Sequence, residues 1–132
     1  MDAIPTRPRD VIDTPGGLKR LVAAYDAHTD ALFDNRHGLA DHPLTAEEHG
    51  AHVVAVLAYA AAIAERAQQP RWVHAREALS VGVTGERVAA AMGLSWPEVA
   101  RELARWAEEQ RRFGLITDDE HAAVLALIGA AS

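Results

Sequence analysis

Apolar residues recur at three- and four-residue steps along most of the chain, which is the period of amphipathic α-helices. The first such stripe includes Leu18, Leu21 and Phe33, and it follows Thr14-Pro15, a typical pair of N-cap and first helical residue. This pattern predicts a helix that ends near Asn35.

A second helix is predicted from the capping box Thr45-Ala-Glu-Glu48 to the residues before Pro70. Its alanine-rich part, Ala58–Ala62, predicts very close contact with another helix. Because the connection between the first two helices is short, we expect an antiparallel hairpin. The predicted apolar positions of this helix are Val53, Val56, Leu57, Ala60, Ile63, Ala64 and Ala67.

The stretch from Thr84 to Gln110 reads as two helices joined by a tight turn. Gly93 directly follows an apolar stripe, and glycine is the usual residue just past a helix end because it enters positive φ freely. Ser95 and Glu98 fit a capping box that starts the second helix. The apolar positions are Val88, Ala89 and Met92 in the first helix and Val99, Leu103, Trp106 and Phe113 in the second.

The remaining pattern completes an all-α protein of five or six helices. A helix over 71–81 precedes the Thr84 segment, and the capping box at Thr117 and Glu120 opens a last helix. The predicted organisation is a flexible arm over 1–14, a helical hairpin over 15–69, and a trihelical helix-turn-helix unit with a C-terminal helix over 70–132. Arg7 and Arg9 make the arm either a basic extension for a minor groove or a loosely ordered terminus.

Charge and composition narrow the class of protein. The formal net charge is −6 over 132 residues, and cysteine is absent, which excludes disulfides and thiolate metal sites. The stretch 70–116 carries 7 arginines against 6 glutamates, so it is the least acidic part of the chain. The first residues lack the apolar core of a signal peptide, and the run Val53–Ala64 is too short to span a bilayer. We therefore expect a cytoplasmic protein that has no membrane contact.

The helix–turn–helix segment resembles a known family pattern. Val88-Ala89, Met92-Gly93-Leu94-Ser95, Val99 and Leu103 are similar to the helix-turn-helix of bacterial transcription factors, most closely sigma-factor region 4 and the LuxR-type regulators. The similarity covers about a fifth of the chain. It implies that the helix from Ser95 enters a DNA major groove.

This resemblance directs attention to the outward residues of the second helix and to nearby cations. Arg101 and Arg105 are one turn apart and suit a guanine edge or a phosphate. Ser95 and the first-turn N–H groups suit a phosphate oxygen, and Trp96 suits a thymine methyl or a sugar. Arg87 and Arg76 are expected to contact phosphates. The predicted DNA-binding residues are Ser95, Trp96, Arg101, Arg105, Arg87 and Arg76.

The predicted function is sequence-specific binding of double-stranded DNA as a transcriptional regulator, with the hairpin as a candidate homodimerisation element. The alternative is a helical adaptor that uses the same face, including an exposed Trp96, to bind a protein of the transcription machinery. The chain has no phosphate loop, no nucleophile motif and no cysteine, so we expect no enzyme activity and no cofactor.

Histidines are frequent between residues 28 and 52. Glu48, His49 and His52 share one side of the second helix, and Asp30 or Asp34 of the facing helix would complete a set of metal ligands. An exposed, histidine-rich turn explains the same composition without a metal. We favour the second interpretation, so no metal site is assigned.

Overall fold

The computed structural model describes residues 4–132, and these residues form two compact units that divide between Gln69 and Pro70. The fold is all-α, as predicted: six α-helices and one short 3-10 helix account for the regular structure of the described residues. After the 3-10 helix Pro8–Asp10, the helices are α1 Gly17–Arg36, α2 Ala46–Gln68, α3 Arg71–Ser80, α4 Gly85–Met92, α5 Trp96–Arg112 and α6 Asp118–Ala131.

The N-terminal unit is the hairpin of α1 and α2, with the 3-10 helix packed on α2. The predicted arm differs from the structure within residues 4–14, because Val11 is buried and packs with Leu21 and Ala62. Residues 1–3 of that arm lie outside the described residues. A buried valine fixes this segment to the hairpin, and Pro8 starts the 3-10 helix.

Helix α1 begins later than the Thr14-Pro15 signal predicts. Its N-cap is Gly16, which has a φ of 93° and gives no side-chain cap. The Thr14 hydroxyl donates instead to the carbonyl of Val11, which closes the turn before the helix. Helix α2 does start as predicted, since Thr45 and Glu48 form the complete reciprocal capping box.

The hairpin buries a different face of α2 from the one predicted. Ala55, Ala58 and Ala62 are the buried residues, whereas Leu57 is 65% exposed and Val53 is 38% exposed. Small side chains let the two helices approach closely, and Leu57 and Val53 lie outside the contact, whereas Ile63 packs against the hairpin core. The alanine-rich contact was expected, but only part of the predicted apolar stripe takes part in it.

The C-terminal unit has the larger core. Helices α3, α4, α5 and α6 pack around a group of fully buried side chains that includes Leu103, Val99 and Val124. Helix α6 starts with the complete Thr117–Glu120 capping box and packs on α3 and α5. Phe113 departs from the predicted stripe: it is the C-cap residue of α5 and is 71% exposed.

Candidate nucleic-acid interface

Three residues join helices α4 and α5. Local interactions explain where α4 begins and where it ends. The Thr84 hydroxyl accepts from the Arg87 amide and starts α4. Gly93 ends α4 with a φ of 71°, and the Leu94 amide then donates to the Ala89 carbonyl at 2.9 Å. This arrangement is the glycine-ended C-cap that satisfies the last carbonyls of a helix. A sharp and well-defined turn results.

The two helices are held by small and branched side chains in the core. Val88 and Ala89 of α4 are buried with Val99 and Leu103 of α5 in one cluster. Ala89 is 2% exposed, and its small side chain permits the close packing of the pair. Helix α5 therefore has one buried side and one solvent-facing side, and the second is the candidate interface.

Trp96 does not present its ring freely to solvent, in contrast to the expectation for a DNA or partner contact. The ring packs against the core of the C-terminal unit, and its indole N–H donates to the Ser132 hydroxyl at 3.3 Å. It also covers Gly85, where an added Cβ would lie 2.6 Å from a ring carbon. Because Gly85 and Ser132 lie outside the helix that begins at Trp96, the local apolar period of that helix could not reveal this packing.

The Trp96–Gly85 contact gives a testable prediction. In Gly85→Ala the new methyl group overlaps the ring, so Trp96 must move; we expect a loss of about 1–3 kcal/mol in the free energy of unfolding, typical of overpacking. Urea denaturation followed by tryptophan emission measures it. In a Trp96→Ala background the same Gly85→Ala change should cost almost nothing. An equal cost in both backgrounds would refute the assigned contact.

The first turn of α5 offers few free donors for a phosphate. The Ser95 hydroxyl accepts from the Glu98 amide at 3.3 Å, so it already serves as the helix cap. Pro97 has no N–H, and the Val99 amide donates to the Ser95 carbonyl. Only half of the predicted capping box forms, because the Ser95 amide does not donate a reciprocal hydrogen bond to the Glu98 carboxylate. Ser95 therefore serves mainly as the helix cap. The Trp96 amide remains in the first turn as a donor for a phosphate.

Two exposed arginines of this unit have side chains without a polar contact to another described residue. The guanidinium groups of Arg87 on α4 and Arg101 on α5 form no hydrogen bond, ion pair or ring contact within the part of the chain that the structure describes. Arg101 lies two residues from each of the buried residues Val99 and Leu103. Two residues along a helix lead to its opposite side, so Arg101 lies on the solvent-facing side of α5. These two guanidinium groups are available to an anionic ligand without loss of an internal contact.

The other two predicted arginines have partners. Arg105 lies 3.9 Å from Glu102 and 3.5 Å from Glu109, but its side chain is 71% exposed. Such exposed pairs are worth about 0–1 kcal/mol, so Arg105 can exchange them for a phosphate. Arg76 is less available, because it is 31% exposed and lies 3.9 Å from Glu120 of α6.

A cluster of charged side chains links α5 and α6. Its arginine, Arg111, is paired with acidic side chains and therefore adds little positive charge to the surface. Arg111 donates two hydrogen bonds to Glu108, at 2.6 and 3.0 Å, and lies 3.5 Å from Asp118. The hydrogen bond from Arg111 lowers the pKa of the Glu108 carboxyl. His121 lies 3.4 Å from the same carboxylate. The cluster links α5 with α6, so its charges are used within the unit.

The histidine-rich region does not assemble the metal ligands that were considered. No group of three or more potential metal-binding side chains occurs among residues 4–132. The Glu48 carboxylate accepts from the Thr45 amide instead. The structure brings together a different pair, His28 of α1 and His52 of α2, whose Nδ1 atoms are 2.9 Å apart. The helical period could have placed His28 at the hairpin contact. His28 lies seven residues, or about two turns, after the buried Leu21 and therefore on the same side of α1.

One helical stretch of the described residues, Ala46–Ser80, is long and apolar enough to cross a membrane by length and composition alone. The sequence argument excluded a span because it considered only the shorter run Val53–Ala64. Cytoplasmic localisation therefore stays a prediction.

Comparison with known proteins adds no relative to this picture: no protein-family model, curated protein or solved structure was found to match the chain.

Proposed function

We propose that the protein binds double-stranded DNA through the solvent-facing side of α4 and α5 and acts as a transcriptional regulator. The observation that carries the proposal is the position of two exposed arginines, Arg87 and Arg101, on two helices joined by a glycine turn, with no side-chain partner for either among the described residues. In a helix-turn-helix protein the second helix lies in the major groove and the first crosses the backbone. Arg101 is then placed for a base edge and Arg87 for a phosphate.

The acidic net charge is compatible with this proposal because the field at one face governs binding. The acidic residues 118–120 at the start of α6 lie in the same unit, and their charge is partly neutralised by Arg76 and Arg111. Affinity would come from few phosphate contacts. We therefore propose a binder of modest affinity whose specificity depends on Arg101, with Arg105 as a secondary contact.

Two single substitutions distinguish base reading from phosphate binding. Arg101→Ala should relax sequence preference by roughly 1–3 kcal/mol at the base that it reads, whereas Arg87→Ala should weaken binding evenly across sequences. Selection from a random duplex library, followed by affinity measurements on selected and scrambled duplexes, reads both effects. If neither substitution changes affinity for any duplex, the proposed face is wrong.

A protein adaptor is the second candidate, and one observation favours it. Phe113 and Leu115, at the turn between α5 and α6, are 71% and 68% exposed. Exposed aromatic and aliphatic side chains near one another suit a protein contact. A purified chain that binds no duplex even at low salt would favour this candidate over DNA binding.

We further propose that the hairpin supports a homodimer. Leu57 and Phe33 are 65% and 57% exposed, and a two-helix unit buries only one side of each helix. Self-association would cover such side chains. Light scattering of the full chain tests this: a mass near 14.2 kDa at all concentrations would refute it.

A further inference from the structure

The contact between His28 and His52 is the feature of the N-terminal unit that neither helix packing nor DNA binding explains. The two side chains come from opposite helices of the hairpin, and their Nδ1 atoms are 2.9 Å apart. Neither is fully buried, but His28 also stacks on Tyr59 of α2 at a centroid distance of 5.6 Å. The pair thus lies within the α1–α2 contact.

The geometry is that of a direct hydrogen bond. The ring centroids are 5.1 Å apart, so the two nitrogens point almost straight at each other. A metal ion bound by both would lie about 2.0–2.1 Å from each nitrogen and off the line that joins them. The rings are not aimed at such a point. One proton between the two nitrogens satisfies both, because a neutral imidazole has one donor and one acceptor nitrogen.

We propose that the His28–His52 pair is a pH-sensitive clasp of the hairpin, closed while the two rings share a proton and opened when both rings become charged. In the doubly protonated state each Nδ1 carries a hydrogen and neither can accept. Two like charges then face each other across the helix contact. The N···N distance of 2.9 Å has to increase, and α1 and α2 have to separate locally.

No carboxylate among the described residues forms an ion pair with either ring of the pair. On α1, the residues one turn from His28 are Ala24, Tyr25, Ala31 and Leu32, none of which is acidic. On α2, Glu48 and His49 lie one turn from His52, and the Glu48 carboxylate accepts from the Thr45 amide at the start of the helix. Asp10 of the 3-10 helix lines a pocket with Tyr59 and is paired with Arg7.

The direction of the pH effect follows from linkage. Burial, and secondarily the charge of His52, lowers the pKa of His28 below its ordinary value of about 6.5. The unfolded chain therefore takes up this proton more readily than the folded hairpin does. The stability is full above about pH 6.5 and falls as the pH drops from there towards the lowered pKa of the folded state.

The chain provides separate reporters for its two units. Trp72, Trp96 and Trp106 all lie in the C-terminal unit, whereas Tyr25 and Tyr59 lie in the N-terminal unit. Tyrosine and histidine ring signals in NMR spectra thus report on the hairpin, and tryptophan emission reports on the other unit. A pH effect that is confined to the hairpin can be recognised within one sample.

The test compares the full chain with His52→Asn and with the control His42→Asn, each between pH 7.5 and pH 5.5. Asparagine keeps a hydrogen-bonding atom near the Nδ1 position but does not titrate, and His42 is an exposed turn residue. In the native chain and in the control, we expect the hairpin to melt roughly 5 °C lower at the acidic pH, a shift readily resolved for a small unit. In His52→Asn this pH dependence should become smaller, because the charge of His52 is removed while the burial of His28 remains.

NMR titration of the native chain keeps the proposal falsifiable if His52→Asn does not fold. We expect the His28 ring to take up its second proton only below the pH at which an ordinary histidine does, and this step should be accompanied by loss of the Tyr59 ring shifts. Tryptophan emission should stay constant over the same pH range. Titration of His28 at an ordinary value, or an unchanged pH dependence in His52→Asn, would overturn the proposal.

Discussion

Leu103→Ala is expected to lower the free energy of unfolding of the C-terminal unit by about 3 kcal/mol, because it leaves a cavity at a fully buried position. Leu103 is 0% exposed and packs within the cluster that joins α5 to the rest of the unit. Urea denaturation followed by tryptophan emission measures the loss. The emission is specific to this unit, since all three tryptophans lie in it.

Leu115→Ala is the matched control, since it removes the same atoms from a side chain that is 68% exposed. Surface substitutions of this kind usually change stability by less than about 0.5 kcal/mol. Equal losses in the two variants would show that Leu103 does not hold the core as described.

The double variant Arg87→Glu/Arg101→Glu is expected to reduce DNA affinity at least a hundredfold. Each substitution removes a contact worth about 1–3 kcal/mol and places a negative charge against the phosphates. Because neither arginine has an internal partner among the described residues, the fold should be retained. Fluorescence anisotropy with labelled duplexes measures affinity, and circular dichroism checks the helices.

The control for total charge is Lys19→Glu/Arg36→Glu, which makes the same change in net charge on the N-terminal unit. Both residues are exposed. A similar loss in both double variants would assign the effect to overall charge and would contradict a specific interface on α4 and α5.

Most helix boundaries were predictable because they have a local cause, whereas α1 starts after Gly16 and not at the predicted Thr14-Pro15. Thr45 and Thr117 cap helices through their own side chains, and Gly93 ends α4 in the left-handed region that glycine favours. Such signals involve residues within four positions of one another. The apolar period of α5 then identified Val99 and Leu103 as core positions.

Long-range packing was not predictable from the same signals. In α2 the stripe that contains Leu57 and the stripe that contains Ala58 have similar periods, and only the close approach of α1 selects the alanines for burial. Trp96 seemed free to contact DNA because its partners, Gly85 and Ser132, are distant in sequence. Periodicity gives the face of a helix but not the neighbour that covers it.

In the candidate site, too, the local features were predictable and the long-range contacts were not. The sequence identified the arginines, but it could not show that Arg76 has a partner in Glu120 whereas the Arg101 side chain has none among residues 4–132. Ion pairing depends on side-chain conformations and on helices that come from distant parts of the chain. The pairing of His28 with His52 was missed for that reason, although each histidine was noted in the sequence.

The most direct test of the account is the affinity of the purified full chain for a pool of labelled genomic duplexes, measured by anisotropy across a range of salt concentrations. We predict saturable binding whose logarithm falls linearly with the logarithm of salt, with some fragments resisting competitor DNA. The slope should be small, since few arginines are free to contact phosphates. No binding at low salt, or binding that salt does not change, would contradict the proposal that this protein reads DNA.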